Sequence, residues 1–271
     1  MPTSTLTGCI QGIGVLGPGF ADWSAARAVL AGDEPYVAAA TVLPPPAVLP
    51  PAERRRAGRV IRLALAVGAE ALGAAAASGS ADDARGLPTV FSSSGGDGDN
   101  CHALCVTLAS GDRQISPTRF HNSVHNAAAG YWSIAYGCTS ASTSLCAGDA
   151  SFGAGLLEAL SQLACGAPAV LLLAYDANYP QPLYALRPIP DAFGIALLLV
   201  RSNSGTGLPQ LQVTLSDAAA APMEQAALES LRASIPAARG LPLLERLAQR
   251  RAGAVVLDYL DSTRMAVEVR P

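Results

Sequence analysis

Two uninterrupted apolar runs, AVLLLA at 169–174 and GIALLLV at 194–200, constrain this chain more than any other feature. Each has the length of a strand, and neither approaches the roughly 20 residues of a membrane-spanning helix. A strand that is apolar at consecutive positions has no face to show to water, so it must lie in a sheet covered on both sides. The segment before the first run supplies a cover. Residues 149–165 carry Phe152, Leu156, Leu157, Leu160 and Leu163 at helical spacing, and Gly166 follows as a C-terminal cap.

The rest of the chain alternates in the same way. Strands are expected at 6–15, 87–92, 195–201 and 211–215, with a closing hairpin of 254–259 and 264–270. Helices are expected at 20–30, from 51–53 to 77, and at 99–109, 223–234 and 241–251. The connector at 38–51 holds five prolines and cannot be regular structure, and 79–86 reads as a polar loop. This pattern predicts a layered α/β fold in one domain spanning 1–271. At 271 residues the chain is long enough for a substantial core.

Half the residues are hydrophobic and 14% are charged, which excludes disorder. The excess apolarity points to a soluble protein with a partner covering extra surface. The net charge of −3 argues against general nucleic-acid binding. Every basic residue is arginine, so Schiff-base chemistry and a P-loop lysine are excluded. No basic-then-apolar leader opens the sequence, so the six cysteines are expected as free thiols in the cytoplasm. Cys101 and Cys105 form C-x3-C around His102, but no second ligand pair stands at zinc-finger spacing. Neither a metal nor a cofactor is expected.

Gly12, Gly14 and Gly17 spell G-x-G-x-x-G, with Asp33 and Glu34 downstream. Pro18-Gly19 follows where a dinucleotide site needs a helix N-terminus, so a glycine-rich turn is expected instead. SSSGGDGD at 92–99 has two carboxylates that would repel phosphate, and it reads as a strand-to-helix turn. No G-x-S-x-G nucleophile elbow is present, and there are only three histidines: His102, His121 and His125.

The run SPTRFHNSVHNAAAGYWSIAYG at 116–137, followed by AGDASFGAGLLEALSQLACG and AVLLLA, resembles the segment of β-ketoacyl synthases around the catalytic cysteine. GIGVLGPG, LPPAERRRAGRVIRLALAVGAEAL and VFSSSGGDGDN are similar to the family's shortened branch, the β-ketoacyl synthase-like N-terminal proteins. That branch includes chain-length-factor-like subunits of aryl polyene and related pigment pathways. The resemblance covers residues 8–201. It implies a thiolase-like layered fold reduced to about one half-repeat, with a mixed central sheet flanked by helices. Residues 1–204 would be the recognisable half and 205–271 a divergent α/β extension.

The departures from the family are informative. Counting back from Gly166 by the family's spacing places Asp149, not Cys146, at the nucleophile position. Cys146 lies three residues earlier, nearly a full helical turn. Asp149 suits a helix N-terminus, where a carboxylate accepts main-chain N–H bonds. The family's two catalytic histidines follow its cysteine, whereas all three histidines here precede Asp149.

The resemblance therefore implies a non-catalytic partner of a full-length β-ketoacyl synthase, acting on acyl chains held by an acyl carrier protein. In such subunits a helical stretch lines the acyl tunnel at the dimer interface, here 120–129. Its candidate faces are His121, Val124 and Ala128, or Asn122, His125 and Ala129. Arg54, Arg55, Arg56, Arg59 and Arg62 form a basic run near a helix N-terminus and are candidates for docking the acidic carrier protein. Two rival readings stand beside this one: a condensing or acyl-transfer enzyme using Cys146, and a homodimeric carrier-binding scaffold.

Overall fold

The two apolar runs pair with each other. In the computed structural model, which describes residues 5–77, 84–201 and 207–271, β4 (Ala169–Asp176) and β5 (Phe193–Val200) are antiparallel neighbours, with Ala169 opposite Val200 and Asp176 opposite Phe193. Every residue of β4 is buried.

The elements in chain order are β1 (Leu6–Leu16), α1 (Trp23–Ala31), α2 (Pro51–Arg56), α3 (Arg59–Ala77), β2 (Thr89–Ser92), α4 (Gly98–Ala109), α5 (Pro117–His121), α6 (Ala127–Tyr136) and β3 (Ser142–Leu145). Then come α7 (Ser151–Ala164), β4, α8 (Leu183–Leu186), β5, β6 (Gln210–Ser216), α9 (Ala226–Ser234), α10 (Leu241–Ala248), β7 (Gly253–Leu257) and β8 (Arg264–Arg270). Among the described residues the strands form one eight-stranded mixed sheet in the order β3-β2-β4-β5-β1-β6-β8-β7. β2 runs parallel to β3 and β4, and the remaining pairs are antiparallel.

The period of two along β4 divides the core. Leu171 and Leu173 pack with α3 and α6 through Leu63, Val67 and Trp132. Val170, Leu172 and Ala174 pack on the other side with Phe152, Leu156 and Leu160 of α7. Each such leucine contributes about 1.5–3 kcal/mol on burial, so this double cover is the main stabilising feature of the centre. The sheet continues into β6, β8 and β7, where the pattern changes. Val213, Met265, Val267 and Val255 are buried, while alternate positions such as Gln212, Thr214, Ala266 and Glu268 are partly exposed. This half-covered alternation is what an antiparallel sheet with one wet face requires.

β1 joins the two parts, pairing with β5 on one side and with β6 on the other. The glycine-rich turn expected from sequence begins only at Gly17, which is bonded to Phe20 across Pro18-Gly19, whereas Gly12 and Gly14 lie inside β1, which continues to Leu16. A Cβ on Gly14 would stand 2.0 Å from the carbonyl oxygen of Val67, and one on Gly12 would stand 2.1 Å from that of Ala71. Here glycine lets α3 rest directly on the strand.

Three other expectations need correction. The helix expected from 51–53 to 77 is two helices, because Ala57 is extended and the carbonyl of Arg56 accepts from Asn122 Nδ2 at 2.9 Å. The helical stretch expected at 120–129 is interrupted between α5 and α6. The small-residue segment 137–148 contains strand β3. The loop expected at 79–86 lies mostly outside the described residues, apart from a 3-10 turn at Ala84–Gly86. The boundary expected at 204/205 also lies outside them.

Candidate functional site

The chain between β3 and α7 builds a strand-turn-helix elbow. β3 is the polar edge strand STSL, with Ser142 exposed and the other three residues half-buried. Cys146 and Ala147 follow, then the 3-10 turn Gly148–Ala150. Gly148 has φ of 56°, a left-handed value that glycine adopts without strain. Ser151 fixes the turn: its Oγ accepts from Ala147 N at 3.1 Å and donates to the Gly148 carbonyl at 2.7 Å.

Asp149 sits in this turn, immediately before α7. Its carboxylate does not cap the helix as expected, and neither the turn nor α7 has a side-chain cap. Instead it accepts from Arg187 Nη2 and lies 3.7 Å from Arg239 Nη2. Arg239 also reaches Asp258 at 3.0 Å, and Asp258 accepts from Arg232 at 2.7 Å. Arg232 in turn forks onto both oxygens of Glu229. The hydrogen bond from Arg232 holds the Glu229 carboxyl down at about 2. Asp149, Arg187, Ile189 and Ser234 line an open cavity of about 170 Å³.

Cys146 stands at the end of β3, outside the helix. Its exposed thiol donates to the Ser94 carbonyl at 2.9 Å. Neither Asp149 nor Cys146 has a histidine among its described hydrogen-bond or ion-pair partners. The carboxylate is thus paired with two guanidinium groups, and among the described residues no base is a hydrogen-bond partner of the thiol.

A buried carboxylate that sequence reasoning missed lies under the site. Asp176, 2% exposed at the end of β4, accepts from Ser94 N at 2.8 Å, Ser94 Oγ at 2.7 Å and Ala237 N at 2.9 Å. Burial pushes its carboxyl up to about 6, against the pull of these donors. It ties the turn after β2 to the segment before α10. The only signal in the sequence is an aspartate ending an apolar strand.

The expected tunnel residues divide between surface and core. His121 ends α5, is exposed, and meets Tyr131 edge-on at 6.1 Å. Val124 and His125 are exposed in the turn between the helices. Asn122 is buried, donating to Arg56 O and accepting from the Tyr131 hydroxyl at 3.2 Å. Ala128 and Ala129 are buried in the cluster that includes α3, so neither predicted face exists as a helix face. What this region does present is apolar and exposed: Val106 and Leu108 on α4, Phe120, Val124, and Ile134 on α6.

The arginine run is also placed differently. Arg54, Arg55 and Arg56 occupy the last turn of α2, where they complement the helix dipole. Arg54 donates to Ala47 O and Leu49 O, Arg56 pairs with Glu53, Arg59 pairs with Asp191, and Arg62 donates to Leu43 O. Four of the five therefore hold the chain's own structure, chiefly the proline-rich connector. The turn at 92–99 is as expected, with Asp97 capping α4 through Asn100 N at 3.0 Å.

The profile described as the N-terminal domain of β-ketoacyl synthase matches residues 22–258. The chain belongs to that family. The match runs well beyond residue 201, where the resemblance in sequence fades. No curated protein matches the chain. Among solved structures, this β-ketoacyl synthase domain is similar to a chain of the ketosynthase ApeO in complex with its chain length factor ApeC from Xenorhabdus doucetiae. The TM-score is 0.71 and the identity 22%, covering 97% of this chain and 99% of that one. The ishigamide ketosynthase/chain length factor gives a TM-score of 0.72 at 17% identity, with the same coverage. The AntDE:AntF complex, a type II polyketide ketosynthase with its acyl-carrier protein, gives 0.74 at 11%, covering 98% and 99%. The fold is thiolase-like, as the sequence predicts.

Proposed function

We propose that this β-ketoacyl synthase domain is a non-catalytic subunit of the chain-length-factor type. It would pair with a full-length β-ketoacyl synthase in the cytoplasm and shape the growth of a polyene held on an acyl carrier protein. The observation that carries this reading is Asp149. A carboxylate bound by Arg187 and Arg239 stands at the elbow where the family's thiol nucleophile is expected, and no imidazole reaches it. The partner would supply the cysteine and histidines.

Two surface features support a partner. β3 is an open sheet edge, and such an edge invites pairing with another strand. Nearby elements α4, α5 and α6 leave Val106, Phe120, Val124 and Ile134 in water, a grouping that favours burial. His121, Val124 and His125 remain the candidates for contact with the acyl path, and Arg55, which is exposed, is the candidate of the basic run for meeting a carrier protein.

The test is to purify the tagged chain from its own host and take its native mass. A one-to-one complex with a ketosynthase is the expected result. A lone chain or homodimer overturns the subunit reading. If the isolated chain is alkylated at Cys146 by cerulenin and turns over acyl substrate, an enzyme reading replaces it.

A further inference from the structure

Another cavity, of about 280 Å³, opens where the last turn of α10 meets Pro209, just before β6, and Val269 near the end of β8. It shares no lining residue with the elbow cavity. Leu247 and Val269 give it an apolar wall, Arg246 and Arg250 bring two guanidinium groups to it, and no aspartate or glutamate lines it. Pro271, at the end of the sequence, also lines it, and no ion pair links it to either arginine. The turn that presents Arg250 runs against its own preference. The Arg250 N–H bonds to the Leu247 carbonyl at 3.1 Å, and the Arg251 N–H to the Arg246 carbonyl at 3.2 Å. This pair of bonds is the Schellman closure of a helix, and glycine usually follows its cap because the backbone there is left-handed. Here that residue is Arg250, with φ of 51°. Glycine would relieve the strain, yet the position carries a long cationic side chain aimed at the cavity. Arg250 has no side-chain hydrogen bond or ion pair among the described residues, and Arg246 has one long hydrogen bond, 3.3 Å to Ala254 O.

We propose that this cavity binds a phosphate monoester carrying a small apolar group. Two guanidinium forks match the oxygens of one phosphate, and no neighbouring carboxylate in the lining opposes it. Leu247 and Val269, both buried, form the wall against which the organic group packs. The volume stands near the lower end of small-molecule sites, about 300 Å³, which limits that group to roughly the size of a single ring. Binding makes and breaks no covalent bond. The site is independent of the subunit reading.

Phenyl phosphate is titrated calorimetrically into the full-length chain at low salt. One molecule should bind per chain, more tightly than inorganic phosphate does. Affinity should fall by roughly tenfold or more in Arg246→Gln and Arg250→Gln, the loss expected for a charged hydrogen-bonding group. It should be kept in Arg251→Gln, whose exposed side chain lies outside the lining. Arg250→Gly removes the guanidinium and relaxes the turn together, so binding should be lost while the melting temperature falls no lower than that of the native chain. Absence of binding by the native chain overturns the site. So does retention of affinity in Arg250→Gly, or an equal loss in Arg251→Gln, which would mean diffuse charge alone. Equal affinity for inorganic phosphate overturns the apolar part of the assignment.

Discussion

Asp149 Oδ1 accepts a hydrogen bond from Arg187 Nη2, and this ion pair takes the place of a helix cap at the start of α7. The two side chains are 58% and 36% exposed, so solvent screens the pair. Asp149→Ala should therefore change stability by no more than about 1 kcal/mol. In the complex with a ketosynthase it should leave turnover unchanged, because no bond is made at this position. Asp149→Cys should likewise yield no condensing activity in the isolated chain, measured by product release from acyl carrier protein. Activity in Asp149→Cys would contradict the assignment of chemistry to the partner.

Phe120 and Val124 are exposed at 68% and 54%. Phe120→Asp and Val124→Asp should leave the melting temperature of the isolated chain nearly unchanged, since exposed substitutions usually stay within about 0.5 kcal/mol. Both should weaken co-purification of a ketosynthase by placing a charge in the contact. Undiminished recovery of partner would move the interface elsewhere.

Asn122 is the opposite case. Its amide joins α2 to α6 through Arg56 O and the Tyr131 hydroxyl. Asn122→Ala should cost about 1–3 kcal/mol, because it strands buried polar groups without partners. Urea unfolding would check this, and a change close to zero would mean that water replaces the amide.

Asp176 should give the stability a pH dependence. Its folded value of about 6 lies above the usual carboxylate value of about 4, so the folded chain holds the proton more tightly. The stabilisation from that proton is complete below about pH 4 and is lost as pH rises through about 6. Asp176→Asn should flatten the wild-type fall in unfolding midpoint across this window, even though the amide disturbs the bonds from Ser94 and Ala237. Identical slopes in the two proteins would refute the claim.

Gly14→Ala places a methyl 2.0 Å from the main-chain carbonyl oxygen of Val67, which cannot swing aside as a side chain could. α3 would have to lift from β1, and a loss of about 1–3 kcal/mol or more is expected from thermal unfolding. Added dinucleotide should not change the melting temperature of the native chain, since these glycines pack a helix rather than hold a phosphate.

The doubly buried strands β4 and β5 and the helix α7 were legible because burial writes itself as continuous or periodic apolarity. β3 was not, because an edge strand with the sequence STSL has little hydrophobic signal. The break at Ala57 was hidden as well, since it depends on Asn122, far along the chain, claiming the carbonyl of Arg56. At the elbow, sequence placed Asp149 before α7 but could not show that Arg187 and Arg239 would take its carboxylate from the helix. The intramolecular partners of the arginine run were hidden too, because its acceptors, the carbonyls of Leu43, Ala47 and Leu49, carry no signature in side-chain chemistry.

The central position of β1 sets an order of events during synthesis. Cys9 lies opposite Val200 on one side and Gln210 on the other. β1 is made before both of its neighbours and thus cannot take its place until β5 and β6 have followed. Until then it exposes Ile10, Ile13 and Val15 to the cell, an interval in which pairing with the wrong strand competes with folding. Expression yield should accordingly respond to chaperone supply and to translation speed over residues 17–192 more than to substitutions on the finished surface.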